Sequence, residues 1–286
     1  MLKARKRQVL ILCLAVVGSS SCLVRKRPVP QAVKRDTRPL LTATKEELIE
    51  RIRNAFDPIQ SFTMTVDMAA SSGALYTGEV TDYATIGGYV LFQRPGDIRI
   101  IGTAPVIQTT LFDMASMGAE FRIYIPSKNR FMVGREDVPG TSKSQLENLR
   151  PEAFRTALLV RPPDPATETT LLEDDTDETK AVYILLIVRR DQDQLTLVRN
   201  VYFERHSLEI VGQKTFEPSG KVLSETKYTG WHDFGGTSFP SDIDIERPQE
   251  GFEVRLTVLT MRVNSAPTAD KFVLEQPQDV QVEELK

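Results

Sequence analysis

The sequence predicts a mainly β protein with a few helices, its strands assembled into an antiparallel sheet. Three observations predict this. Apolar and polar residues alternate in SFTMTVDM (61–68), FRIYIP (121–126) and FEVRLTV (252–258), so each segment has one apolar and one wet face. Similar runs recur near 88–93, 97–102, 107–115, 130–134, 181–189, 195–205, 208–216, 222–231 and 241–247. Turn chemistry separates them, in RPGD (94–97), PSKN (126–129) and EPSG (217–220).

The first element is helical. Thr44 stands where an N-cap belongs, and Glu47 occupies the capping-box position three residues on. Leu48, Ile52, Phe56 and Ile59 then fall on one stripe, and Pro58 ends the helix 45–56. A second helix is expected over 144–159, with Leu146, Leu149, Phe154 and Leu158 near one face and a break or restart at Pro151. The segment 161–180, RPPDPATETTLLEDDTDETK, is rich in Pro, Thr and acid and is expected to be an exposed loop. Residues 43–286 then form one domain.

The chain of 286 residues is 41% apolar and 26% charged, which suffices for an ordinary core. Its net charge of −3 gives no case for a nucleic-acid partner. Two cysteines, Cys13 and Cys22, and two histidines, His206 and His232, leave no standard zinc ligand set. Neither a Gly-x-Ser-x-Gly nucleophile elbow nor a phosphate-binding Gly-rich loop occurs. Asp242, Asp244 and Glu246 share one strand face, readable as a cation ladder or as a plain solvated face. His232 and Asp233 are adjacent, and neighbours in a strand point to opposite faces. No cofactor, metal site or enzymatic activity is expected.

The N-terminus has the layout of an export signal: basic residues to Arg7, an apolar run Val9 to Val17, then small residues to Ser21. The small residues before Cys22 resemble the lipobox of bacterial lipoproteins, in which the cysteine is acylated and becomes the first mature residue. Residues 1–21 would then be removed. Ser19 stands where that motif has an aliphatic residue, and Arg25, Lys26 and Arg27 follow the cysteine. An uncleaved anchor and an ordinary secretory signal are the other readings. Residues 22–42, basic and containing Pro28, Pro30 and Pro39, read as a solvated tether.

Three stretches in order, TKEELIERIRNAFDPIQSFTMTVDM, RPGDIRIIGTAPVIQTTLFDM and FPSDIDIERP with the later FVLEQPQDVQVEEL, carry a likeness: on them the chain from about residue 45 to 285 resembles the Lol-type superfamily of periplasmic lipoprotein carriers and outer-membrane lipoprotein receptors. The first is similar to that family's opening helix and first strand. The second is similar to its strand–loop–strand unit, and the third to its closing strands and tail. The resemblance implies a half-open, strongly curved antiparallel β-barrel lidded by helices. It implies a non-catalytic, lipid-anchored envelope protein that binds acyl chains of lipoproteins or lipids. Phe62, Met64, Val66, Phe92, Ile98, Ile100, Phe112, Phe121, Ile123, Leu149 and Phe154 would line the cavity, although such a stripe also reads as ordinary core. Val106 and Ile107, in GTAPVIQ, would form an exposed delivery loop or else a plain hairpin turn. Leu23 lacks the aspartate that retains lipoproteins at the inner membrane in some bacteria, which points to the outer membrane. The alternative is an envelope-stress sensor or interaction lipoprotein with a periplasmic protein partner and no lipid cargo.

Overall fold

A computed structural model describes residues 38–74, 79–136, 150–191 and 194–285. Cys22, Leu149 and the start of the second expected helix lie outside the described residues. The described part belongs to one compact unit, Arg38–Lys286.

Helix α1 (Lys45–Phe56) begins at a complete capping box. The Thr44 backbone N–H donates to Glu47 Oε2 at 2.7 Å, and the Glu47 N–H donates back to Thr44 Oγ1 at 3.3 Å. Leu48 and Ile52 are fully buried. Arg94 closes the other end: it lies 3.9 Å over the Phe56 ring and donates to the Phe56 carbonyl at 2.6 Å. Helix α2 (Pro151–Leu158) starts at Pro151, the restart position read from the sequence, where proline's missing N–H costs nothing.

The strands are β1 (Ser61–Ala74), β2 (Glu79–Asp82), β3 (Ile86–Gln93), β4 (Asp97–Thr103), β5 (Thr110–Met117), β6 (Glu120–Ile125), β7 (Arg130–Arg135), β8 (Glu168–Thr176), β9 (Ala181–Asp191), β10 (Gln194–Glu204), β11 (Ile210–Phe216), β12 (Val222–Asp233), β13 (Ser238–Arg247), β14 (Phe252–Val263) and β15 (Val282–Glu284). They form one sheet in the order β15-β7-β6-β5-β4-β3-β1-β14-β13-β12-β11-β10-β9-β8, with β2 paired to the far half of β1. All pairs are antiparallel except β15 with β7. The sheet is not closed, and β8 and β15 are its edges.

The sheet curls around α2. Seven interstrand steps separate β5 from β11, a span of about 34 Å if flat. Helix α2 is only about 12 Å long, yet it packs on β5 and also accepts a hydrogen bond from Gln213 of β11, at 3.0 Å to the Thr156 carbonyl. Tyr228 of β12 donates to the Ala157 carbonyl at 2.7 Å. Both helices share one apolar core with the inner sheet face.

Two expectations are corrected. The segment 161–180 is not a loop throughout, because β8 pairs with β9 along its whole length, from Glu168↔Arg189 to Thr176↔Ala181. Buried Glu168 accepts from Arg199 at 3.2 Å, from Arg161 at 3.3 Å and from the Asp164 N–H at 2.9 Å, which fixes the approach to the strand. The tether expected to run to residue 42 ends sooner. The Leu41 N–H donates to the Arg205 carbonyl at 2.7 Å, and Arg38 donates to Glu204 at 3.3 Å.

The outer face of β4–β7 has its own cover. Leu274 and Val280 of the C-terminal segment pack on Ala115 and Phe131. Arg99, paired with Asp113 at 2.7 Å, also donates to the Lys271 carbonyl at 2.9 Å.

Candidate functional site

The residues read from sequence as cavity lining come together. Phe62, Met64 and Val66 of β1, Phe92 of β3, Ile98 and Ile100 of β4, Phe121 and Ile123 of β6, and Phe154 of α2 are all buried in the core shared by sheet and helices. Phe112 is half-buried at its margin, over Gly102. This part is closely packed: the Phe62 and Phe92 rings stack at 5.1 Å, and Phe239 stands 6.4 Å from Phe62. Gly134 lies so near the Phe121 ring that a Cβ there would sit 2.4 Å from it. The open spaces are lined by other residues.

A void of about 30 Å³ lies under the C-terminal end of α1. Phe56 and Ile59, Leu158 and Leu159 after α2, and Tyr228, Trp231 and Phe239 surround it. Outside it opens a cleft of about 670 Å³, between α1 and the β10–β11 and β12–β13 turns. Ala55, Ile210, Trp231 and Ser238 line both spaces, so they form the throat between them. Trp231 is fixed there by its Nε1–H, which donates to the Ile210 carbonyl at 2.9 Å. Leu208, buried on the cleft wall, has φ 59, a conformation that a bulky side chain rarely adopts.

The cleft rim is acidic. Glu47, Glu50 and Arg51 line it from α1 and Glu209 from the β10–β11 turn, and all four are exposed. Backbone and hydroxyl donation by Thr44 holds the Glu47 carboxyl below its usual range. Sequence reading missed this site. Its one signal was the pair Gly230-Trp231, a glycine inside a strand pattern beside the chain's only tryptophan. Gly230 has φ 67 there.

Val106 and Ile107 are 89% and 75% exposed. The loop is tightly closed: Gln108 N–H donates to the Ala104 carbonyl at 3.0 Å and Ala104 N–H to the Thr109 carbonyl at 2.9 Å. Registers put this loop and the cleft at opposite ends of the strands. Gln93↔Asp97 and Ser61↔Gln93 mark the α1 end, and Gly87↔Thr103 marks the other.

A buried polar group flanks the packed region. Arg150 lies 4.4 Å over the Phe121 ring. Burial pushes the Glu136 carboxyl up, against Ser116, Arg155 and Arg150, which favour its charge. On the Asp242–Asp244–Glu246 face two of the carboxylates have partners on the neighbouring strand. Asp244 is bonded to Arg255, and Asp242 accepts from Thr257 at 2.9 Å. His232 and Asp233 do not pair: His232 Nδ1 meets the Gly230 carbonyl at 3.0 Å, and Asp233 accepts from Gly236 N–H at 2.8 Å. Among the described residues no His, Cys, Asp and Glu group is placed to hold a metal, and no helix is long and apolar enough to cross a membrane.

Known structures share this architecture. A LolA superfamily protein from Nitrosomonas europaea is similar over 82% of this chain and 99% of its own, with TM-score 0.52 and 15% identity. The fold is Lol-type. A DUF1329 family protein from Desulfovibrio piger matches with TM-score 0.55 and 14% identity, over 79% of this chain and 95% of its own. An outer membrane lipoprotein-sorting protein domain from Vibrio parahaemolyticus, a putative assignment in its own description, matches with TM-score 0.53 and 12% identity, over 79% and 94%. No family model matches the chain, and no curated protein sequence does.

Proposed function

We propose that this chain is a non-catalytic cell-envelope protein that binds acyl chains of lipoproteins or lipids between its helices and its curled sheet. In this reading the sheet is a half-open barrel, α1 and α2 are its lid, and Cys22 carries the lipid that holds the protein at the outer membrane, facing the periplasm. The cargo is delivered to that membrane with help from the Val106–Ile107 loop.

The observation that carries the reading is the apolar core that α1 and α2 share with the inner sheet face, with a small space left under the end of α1. Its lining is mostly apolar, from Phe56, Ile59, Leu158, Leu159 and Phe239, so aliphatic carbon suits it better than a polar group. Met64, Met68, Met114 and Met132 in the same core adapt to a new neighbour at low cost. The test is uptake of a fluorescent fatty acid and of an acylated peptide by the full chain purified in mild detergent. Saturable uptake supports the reading, and none at micromolar protein overturns it. Intact mass of the protein from native membranes checks the anchor: a chain starting at Cys22 with acyl groups is expected.

One observation favours a second reading. The close packing of Phe62, Phe92 and Phe239 leaves that part of the core already filled. An interaction or sensor lipoprotein with a periplasmic protein partner needs no cavity. Binding of a membrane-protein segment without lipid uptake would select it.

A further inference from the structure

We propose that the cleft beside Trp231 binds a single-chain amphiphile with a cationic head, the chain passing the throat into the void and the head resting at the rim. This rests on the acyl-chain reading and deepens it by naming the way in and the kind of head.

The two spaces differ in chemistry as the two ends of an amphiphile do. The cleft, at about 670 Å³, is of the size that encloses small ligands. Its rim carries three carboxylates, Glu47, Glu50 and Glu209, against the guanidinium of Arg51. Glu50 has one further cationic neighbour, Arg53, at 3.4 Å in an exposed pair. The local field therefore favours a positive head over a negative one. The floor changes character within one side chain. Beyond Trp231 the walls are Phe56, Ile59, Leu158 and Phe239. The void alone, about 30 Å³, has no room for an alkyl chain. A chain widens it by sliding the half-buried Phe56 ring, in the last turn of α1, against the Arg94 guanidinium that lies 3.9 Å over it. Trp231, held by the Ile210 carbonyl, stays as the fixed wall.

Trp231 is the only tryptophan in the chain and reports directly on the throat. The experiment titrates its emission in the full chain with dodecyltrimethylammonium, dodecyl maltoside and dodecanoate, each below its micelle concentration. A blue shift or quench is expected to saturate with the cationic amphiphile at a concentration about ten-fold below the uncharged one. Dodecanoate is expected to be weakest. The doubly exchanged variant Glu50→Gln, Glu209→Gln, both exposed positions, is expected to bring the cationic and uncharged amphiphiles within about two-fold of each other. Added salt is expected to erode the cationic preference of the unaltered chain. Equal response to all three heads overturns the proposal, as does preference for dodecanoate. Unchanged Trp231 emission while labelled fatty acid is still taken up removes this site and leaves acyl-chain binding standing. No uptake of any probe removes both.

Discussion

The same inner sheet face is covered in two ways. Near β1 and β3 the Phe62 ring is fully buried and stacks on Phe92, with the Phe239 ring of β13 tilted 6.4 Å away on the border of the void. Toward the end of α1, Phe56, Trp231 and Tyr228 surround a void and open to a cleft. The side chains are of similar kinds. What differs is the cover. In the first region side chains of paired strands meet in register, as Phe62 meets Phe92, whereas the second depends on a helix end and two turns. Packing over a lattice of strands leaves little slack, because each side chain meets its neighbours at a fixed spacing. A helix end meeting turns has no such lattice, and space remains.

Substitutions test that contrast. The largest effect is expected from Phe62→Ala, which empties the filled region. A loss of about 3–5 kcal/mol should appear as a lower urea midpoint. A loss under about 1 kcal/mol would mean that the region collapses easily and is not tightly filled. A paired comparison is sharper. Val66→Ile adds a methylene where Val66 is fully buried, and overpacking there is expected to cost about 1–3 kcal/mol. Ala55→Val adds carbon at the throat and is expected to cost under about 1 kcal/mol while weakening amphiphile binding. Equal costs would erase the distinction between the two regions.

Tyr228 joins them, through its hydroxyl on the Ala157 carbonyl. Tyr228→Phe is expected to cost about 1 kcal/mol at neutral pH. Burial also raises the phenol's pKa well above its ordinary value. The folded state therefore keeps a proton that the unfolded state releases above about pH 10. Stability should fall as pH rises past that point, and Tyr228→Phe should flatten the slope. Urea midpoints of both proteins at pH 7 and above pH 10 check it. The smallest effect is expected at the edge of the filled region. Glu136 has a raised pKa because burial opposes its charge. Its ionisation therefore weighs against the fold above the unfolded carboxylate range and has no effect below it. Glu136→Gln should stabilise the protein at pH 7 and not at pH 3. Stabilisation of equal size at both values would mean that charge is not the cause.

Much of the frame was readable from residues alone. Alternation marked β1, β6 and β14, and Thr44 with Glu47 marked the start of α1. The strand β8 was hidden because ETTLLEDDT lies at a sheet edge and needs no strict alternation. The short β2 and β15 carry too few residues for a period. The core residues were legible from their spacing. The throat was not, because Ala55, Ile210, Trp231 and Ser238 come from separate elements, and a void is a matter of unfilled volume, which no pattern of residue types records.

The seam between β1 and β14 has a consequence in time. These strands are near the two ends of the fold, yet they lie side by side at its centre, with Phe62 opposite Val263. Beside that pair the Gln60 N–H is held by Asn264 Oδ1 at 2.8 Å, across 204 residues of sequence. At about 5–20 residues per second, β1 waits roughly 10–40 s after synthesis for the strand that completes it. Closing so long a loop adds only slowly to the entropic cost, but a sheet built on distant pairs assembles late. Until then β1 has only β2 and β3 beside it, on one edge, and the molecule stays unfinished until its last long strand is made.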